Sequence, residues 1–259
     1  MKKSEKILNW GSHQLVYFSI SDKGLVREIN EDSYAILPEY FLFVLADGMG
    51  GHEAGPLASS LTIDSAKKFM ACLNISDEDT LPSGLTREIL SKEPLVGMAE
   101  YANTRVYNEA AGRVMGSTLL ALHFVKDGAD IIHVGDSRAY LWRDQELKQL
   151  TKDHSLVYEL MNAGKISREE MHTHPRRNII TRAIGTNTKV EPSLRHIKIL
   201  SGDLLLLCSD GLTSMARDEE IKQVFKLEKN VSSIANTLLR LAYDAGAKDN
   251  ISIIVAEVR

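Results

Sequence analysis

The stretch FVLADGMGG (residues 43–51) runs four apolar residues into Asp47 and then into a glycine-rich turn. The same joint recurs in IIHVGDSR (residues 131–138) with Asp136 and in LLLLCSDG (residues 204–211) with Asp210. In AKDNISIIV (residues 247–255) the order is reversed, and Asp249 leads into the apolar run. Glu31 and Asp32, in NEDSY (residues 30–34), also stand just before such a run. Short apolar runs bounded by Gly, Asp, Asn or Pro read as β-strands.

Working outward, further strand-like runs lie at residues 14–20, 33–37, 117–125, 130–134 and 138–142. Helical spacing holds at Leu57, Leu61, Ala66, Phe69, Met70 and Leu73. It recurs at Leu95, Ala99, Ala102 and Val106 after Pro94, and at Val231, Ile234, Ala235, Leu238, Leu241 and Ala242. The strands come in groups with long helices between the groups, which favours an antiparallel α+β layering over a doubly wound parallel sheet. Residues 74–91 and 151–189 read as irregular, the second mixing a short helix with a basic loop. With 259 residues and no internal repeat or linker, one large layered domain is expected.

Composition narrows the function. Hydrophobic residues make up 44%, charged residues 25% and aromatics 6%, values that exclude disordered, collagen-like and disulfide-scaffold classes. Lys and Arg number 31 against 35 for Asp and Glu, so the charge of -4 gives no footprint for nucleic acid. Cys72 and Cys208 fit no ligand spacing and read as buried free thiols in a reducing compartment. Polar residues interrupt residues 1–20 before any export signal could form, and no apolar run nears the roughly 20 residues that span a bilayer. A cytoplasmic protein is expected.

One Asp-Gly after a strand is ordinarily a turn, because Asp bonds its own backbone and Gly accepts positive φ. Five or six such acids point further. If they converge, two bare carboxylates about 4 Å apart at an effective dielectric near 20 repel by roughly 4 kcal/mol, so the cluster needs a cation. Oxygen ligands without paired Cys or His suit Mg²⁺ or Mn²⁺ rather than Zn²⁺. His172 and His174 read as surface-loop residues. The glycine-rich residues 48–55 lack the ending of a nucleotide phosphate loop, and no serine elbow or phosphate-cradling cysteine loop occurs. Metal-assisted hydrolysis of a phosphate ester is the chemistry this pattern predicts.

Eight motifs in order carry a resemblance: RxxNED (residues 27–32), LADGMGG (45–51), GST (116–118), VGDSR (134–138), LTKDHS (150–155), HPRRNIITRAIG (174–185), CSDGL (208–212) and DN (249–250). Together they resemble the protein phosphatase 2C (PPM) family of metal-dependent serine/threonine phosphatases, in its compact bacterial form. The resemblance implies a four-layer α-β-β-α sandwich of two antiparallel sheets flanked by helices, as one domain over residues 1–259 with a flap at about 150–185. It further implies water attacking phosphoserine or phosphothreonine at a binuclear Mn²⁺ or Mg²⁺ centre, without a phosphoenzyme. In that pattern Asp47 is the bridging ligand, Gly48 offers its carbonyl, and Asp210 and Asp249 complete the other site. Glu31 and Asp32 match positions that bind a metal directly or through water. Asp136 matches the ligand of a third, weaker metal, with a turn aspartate packed under the site as the alternative.

Arg27 matches the arginine that grips the substrate phosphate, which its guanidinium fork suits; the alternative is a surface ion pair with Glu28 or Glu31. Met49 stands where eukaryotic members carry a histidine, and a thioether cannot be a general acid. His52 then reads as an exposed turn residue, leaving protonation of the leaving group to water. The flap carries Arg168, Arg176, Arg177 and Arg182 with His154 and His174, and of these His154, Arg176 and Arg182 are candidate substrate contacts. The resemblance implies phosphoproteins as substrates and a bacterial Ser/Thr kinase as the opposing enzyme; the charge balance and short apolar runs predict no nucleic-acid or membrane partner, and a monomer is expected. A pseudophosphatase is the rival reading, but it predicts a missing core acid, and Asp47, Asp210 and Asp249 are all present.

Overall fold

The computed structural model describes residues 5–51, 53–75 and 81–259. One sheet comprises β1 (Lys6–Trp10), β2 (His13–Asp22), β8 (Arg138–Arg143), β9 (Glu146–Gln149), β11 (Leu204–Cys208) and β12 (Ile251–Val258), in the order β1-β2-β12-β11-β8-β9. The other comprises β3 (Asp32–Leu37), β4 (Leu42–Met49), β6 (Leu119–Val125), β7 (Gly128–Val134) and β10 (Ser193–Ile197), in the order β10-β7-β6-β4-β3, with β5 (Gly116–Ser117) pairing the end of β4. Every named strand pair is antiparallel.

Three apolar layers separate four layers of structure. Phe43 and Leu45 of β4 point between the sheets, where they meet Leu205 and Leu207 of β11 and Ile254 and Ala256 of β12. Leu42, Val44 and Ala46 point the other way, onto α1 (Ala54–Cys72) and α3 (Pro94–Ala110). On the far side, Leu206, Ile253 and Val255 pack under α6 (Asp210–Thr213), α7 (Asp218–Leu227) and α8 (Val231–Asp244). Covered on both faces, the central strands need no polar side, so they read as continuous apolar runs rather than alternating ones. The α-β-β-α sandwich of antiparallel sheets stands as expected.

The three long helices with sequence signals form where expected, and local chemistry starts two of them, α3 and α8. Pro94 occupies the first turn of α3, where its missing N–H costs nothing, and the Glu93 carboxylate accepts from Val96 N at 2.9 Å. Asn230 caps α8 by accepting from Ser233 N at 2.8 Å. The runs named from sequence do not include β1, β9, β10 or α7, although Ile221, Val224 and Phe225 of α7 keep helical spacing and are buried. Leu194, Arg195 and His196 of β10 are exposed, so this edge strand has almost no apolar pattern to show. The flap region holds two short helices rather than one, α4 (Leu156–Asn162) and α5 (Arg168–Thr173), while α2 (Arg87–Leu90) punctuates the first irregular stretch. Both cysteines are buried and free, and burial pushes the Cys208 thiol up to about 12.

Candidate active site

The acids gather because strand ends from both sheets meet at one edge of the sandwich. Asp32 opens β3 directly opposite Asp47 near the close of β4, a register that puts both side chains on one face. Asp210 opens α6 just past the end of β11, and Asp249 stands two residues before β12. Asp136 sits in the turn between β7 and β8.

Burial and mutual repulsion shift these acids together. Asp47 is held well above the usual carboxylate range by desolvation and then by repulsion from Asp32, Asp210, Asp136 and Asp249. Desolvation raises Asp32 to about 7, against hydrogen bonds from Ser252 and Ser209 and with help from Asp210 and Asp249. Asp210 stands at about 6, raised by desolvation and then by Asp249. Desolvation followed by Asp210 and Asp153 drives Asp136 well above its ordinary value. Desolvation also raises Glu31, opposed by Arg27. Asp32 is buried, and its Oδ1 has no hydrogen-bond partner. A buried acceptor without a donor is costly, and here it faces a cluster of further acids.

Around the acids runs a set of neutral side chains. Asn250 accepts from Glu31 N at 2.8 Å and donates to the carbonyls of Lys23 and Ile29 at 3.0 and 2.9 Å. Ser209 Oγ donates to Asp32 Oδ2 at 2.8 Å and also receives Ser252 N. Thr118 Oγ1 accepts from Asp47 N at 2.9 Å and shares a 2.8 Å hydrogen bond with Ser137 Oγ, so it ties two acid-bearing segments together. Gly48 has no room for a side chain, because a Cβ there would run into the Gly55 carbonyl and come within 2.7 Å of the Glu31 carbonyl.

A protein phosphatase 2C family model matches residues 26–251. The chain belongs to the protein phosphatase 2C family. The serine/threonine protein phosphatase PstP of Mycobacterium tuberculosis is 40% identical over 244 residues, covering 94% of this chain and 45% of that protein. The chain thus spans about half the length of that relative. The serine/threonine phosphatase stp of Listeria monocytogenes is 36% identical over 244 residues, covering 92% of this chain and 93% of that protein. The catalytic domain of PstP in complex with two manganese ions matches with a TM-score of 0.78 at 37% identity, covering 95% of this chain and 99% of that one.

Hard divalent cations suit the donors of this protein phosphatase 2C chain. The converging groups are carboxylates alone, and Asp32 Oδ1 is an orphaned buried oxygen among them. Among the described residues, no three His, Cys, Asp or Glu side chains close tightly around a single point. Asp249 turns its Oδ2 outward to Arg27 Nη2, 2.7 Å away. That contact corrects the alternative expectation for Arg27, whose ion-pair partner is Asp249 rather than Glu28 or Glu31. Arg27 remains about half exposed, and among the described residues only its Nη2 is engaged by a side chain.

The flap corrects another expectation. His154 is buried, with both ring nitrogens engaged: Nδ1 accepts from Gly135 N at 3.2 Å and Nε2 donates to Ser193 Oγ at 2.9 Å. It stacks on His133 with ring centroids 4.6 Å apart, and desolvation, His133 and Arg182 lower it to about 3. It is therefore a neutral structural histidine and not a substrate contact. Arg176 and Arg182 are exposed, and Arg182 leans on the Glu191 carbonyl at 3.4 Å. A cavity of about 80 Å³ runs from Asp136 and Asp210 toward the flap, and the flap cations along it are Arg168 and Arg177. His52 lies outside the described residues.

Ser209, Ser252, Thr118 and the hub role of Asn250 escaped sequence reasoning. Asn250 and Thr118 do fall in the DN and GST motifs, whereas Ser252 is an ordinary strand serine with no local signal.

Proposed function

We propose that this chain hydrolyses phosphoserine and phosphothreonine in proteins at a binuclear Mn²⁺ or Mg²⁺ centre, without a covalent phosphoenzyme. One observation carries the reading: five aspartates from distant parts of the chain repel one another at a shared sheet edge, with Arg27 poised over them.

Asp47 would bridge the two ions, Gly48 would offer a carbonyl, and Asp210 and Asp249 would complete the other site. Glu31 and Asp32 stand by as direct or water-linked ligands, and Asp136 would hold a weaker third ion. Bound there, divalent cations supply Lewis acidity toward the phosphate and make a nearby water acidic. The chain's own residues do the rest. Arg27 hands its fork from Asp249 to two phosphate oxygens and so orients the ester. Ser209, Ser252 and Asn250 hold the acid-bearing loops still, limiting reorganisation during reaction. Residue 49 is Met and gives no proton, so the departing alkoxide takes one from water.

The domain reading is a single catalytic unit with a flap at about 150–185, acting as a monomer against a bacterial Ser/Thr kinase in the cytoplasm. Relatives named as serine/threonine phosphatases support the catalytic part of this reading. Among the described residues no helix is long and apolar enough to cross a membrane.

The test is phosphate release from p-nitrophenyl phosphate and a phosphothreonine peptide by metal-stripped protein, with Mn²⁺, Mg²⁺ or Zn²⁺ restored. Asp210→Asn and Asp249→Asn should each lower kcat by about 100-fold or more, the scale of losing a main electrostatic contact, while circular dichroism stays native. Undiminished turnover in both variants would remove the metal-site assignment.

A further inference from the structure

The loop between β2 and β3 carries Arg27 among exposed apolar residues. Leu25, Val26 and Ile29 are 63%, 65% and 46% exposed, so three of the five residues from 25 to 29 present oily side chains to water. Isolated exposed apolar residues need no explanation, but a cluster on one short loop beside a charged anchor marks an interaction surface.

The loop does not expose them through slackness. Asn250 Nδ2 grips the carbonyls of Lys23 and Ile29, Leu25 N donates to the Ala247 carbonyl at 2.9 Å, and Gly24 N donates to Asp22 Oδ1 at 2.9 Å. Gly24 has φ +74 and lies so close to the Asp249 carbonyl that a Cβ would collide with it. Every anchor faces inward, and the apolar side chains are left outside.

We propose that Leu25, Val26 and Ile29 form a docking rim for apolar side chains that flank the phosphorylated residue of a substrate protein. The inference rests on the role proposed above for Arg27. Consecutive residues of an extended chain advance about 3.3–3.6 Å, so a phosphate gripped by Arg27 brings its neighbours over the side chains beside it. A polar flank gains nothing from that surface, and the exposed Glu28 disfavours an acidic one. The rim therefore selects by context, whereas Arg27 selects for phosphate.

The experiment compares wild type with the double variant Leu25→Ser and Val26→Ser on three substrates. These are a phosphothreonine peptide with Leu and Val flanks, the same peptide with Ser flanks, and p-nitrophenyl phosphate, which has no flanks and gauges the chemistry. Wild type should favour the apolar peptide by about tenfold in kcat/KM, the scale of one small apolar contact, with the difference in KM. The variant should treat both peptides alike. Equal kcat/KM for the two peptides in wild type, or a preference that survives in the variant, would overturn the rim. Absence of hydrolysis of all three by metal-loaded wild type would instead bring down the phosphatase reading, and the rim with it.

Discussion

Two arginine–aspartate pairs flank the acid cluster, and their surroundings differ. At the mouth, Arg27 meets Asp249 through one contact of 2.7 Å, with side chains 48% and 32% exposed. At the base of the flap, Arg138 meets Asp153 through three hydrogen bonds of 2.6–3.0 Å, with side chains 14% and 6% exposed. Tyr140 shares the guanidinium of Arg138, and Gln149 donates to Asp153. A desolvated charge stays only if its partner and hydrogen bonds are complete, so Arg138 is committed to the fold. A solvated pair is worth little and can exchange partners, as the role proposed for Arg27 requires.

The largest effect expected from this contrast is on stability at the flap base. Arg138→Ala leaves Asp153 buried without its cation and should cost about 3–5 kcal/mol, read from chemical denaturation. A cost under 1 kcal/mol would erase the distinction between the pairs.

Next comes activity at the mouth. Arg27→Ala should lower kcat/KM on a phosphothreonine peptide by about 10- to 100-fold, the worth of a charge-assisted hydrogen bond to phosphate at roughly 1.5–3 kcal/mol. Steady-state kinetics check it, and Arg27→Lys should recover only part of the loss because a point charge lacks the fork.

The flap base should also show a pH signature. His154 is held at about 3 in the fold against 6.5 as a free side chain. Above pH 6.5 it is neutral in both states and adds no slope; below that the unfolded chain takes up a proton that the folded one refuses. Stability should therefore fall as pH drops from 6.5 toward 3, by at most about 1.4 kcal/mol per pH unit. Subtracting the curve of His154→Gln isolates this contribution, and parallel curves would show the ring is not held neutral. The smallest effect is the stability cost of Arg27→Ala itself, under about 1 kcal/mol; a larger thermal shift would mean the mouth pair is structural too.

Much of the site was legible because its acids occur at joints that local chain physics reveals. An apolar run ending in Asp-Gly announces a strand and a turn wherever it occurs, and Asp47 and Asp210 stood out on that basis. The flap was less legible. His154 shares a basic, polar stretch with Arg176 and Arg182, yet one is buried and the others are exposed, because burial depends on what the flap folds against. The role of Ser252 was silent, since a serine in a strand looks the same whether it faces solvent or a carboxylate, and Ser209, at the joint between β11 and α6, reads as an ordinary residue before a helix.

From the sequence alone came the strand and helix identities of the periodic segments, the positions of the acids, and the resemblance borne by eight motifs in order. Turn chemistry and hydrophobic periodicity act over a few residues, so a linear reading captures them. Tertiary structure decided which side of a doubly covered strand each apolar residue faces, as in the split of Phe43 from Val44 between two cores. It also decided that Glu31 and Asn250, 219 positions apart, share a hydrogen bond, and that Arg27 leans on Asp249. Repulsion among carboxylates and the cost of burying them depend on distance in space, and only the closed sandwich sets that distance.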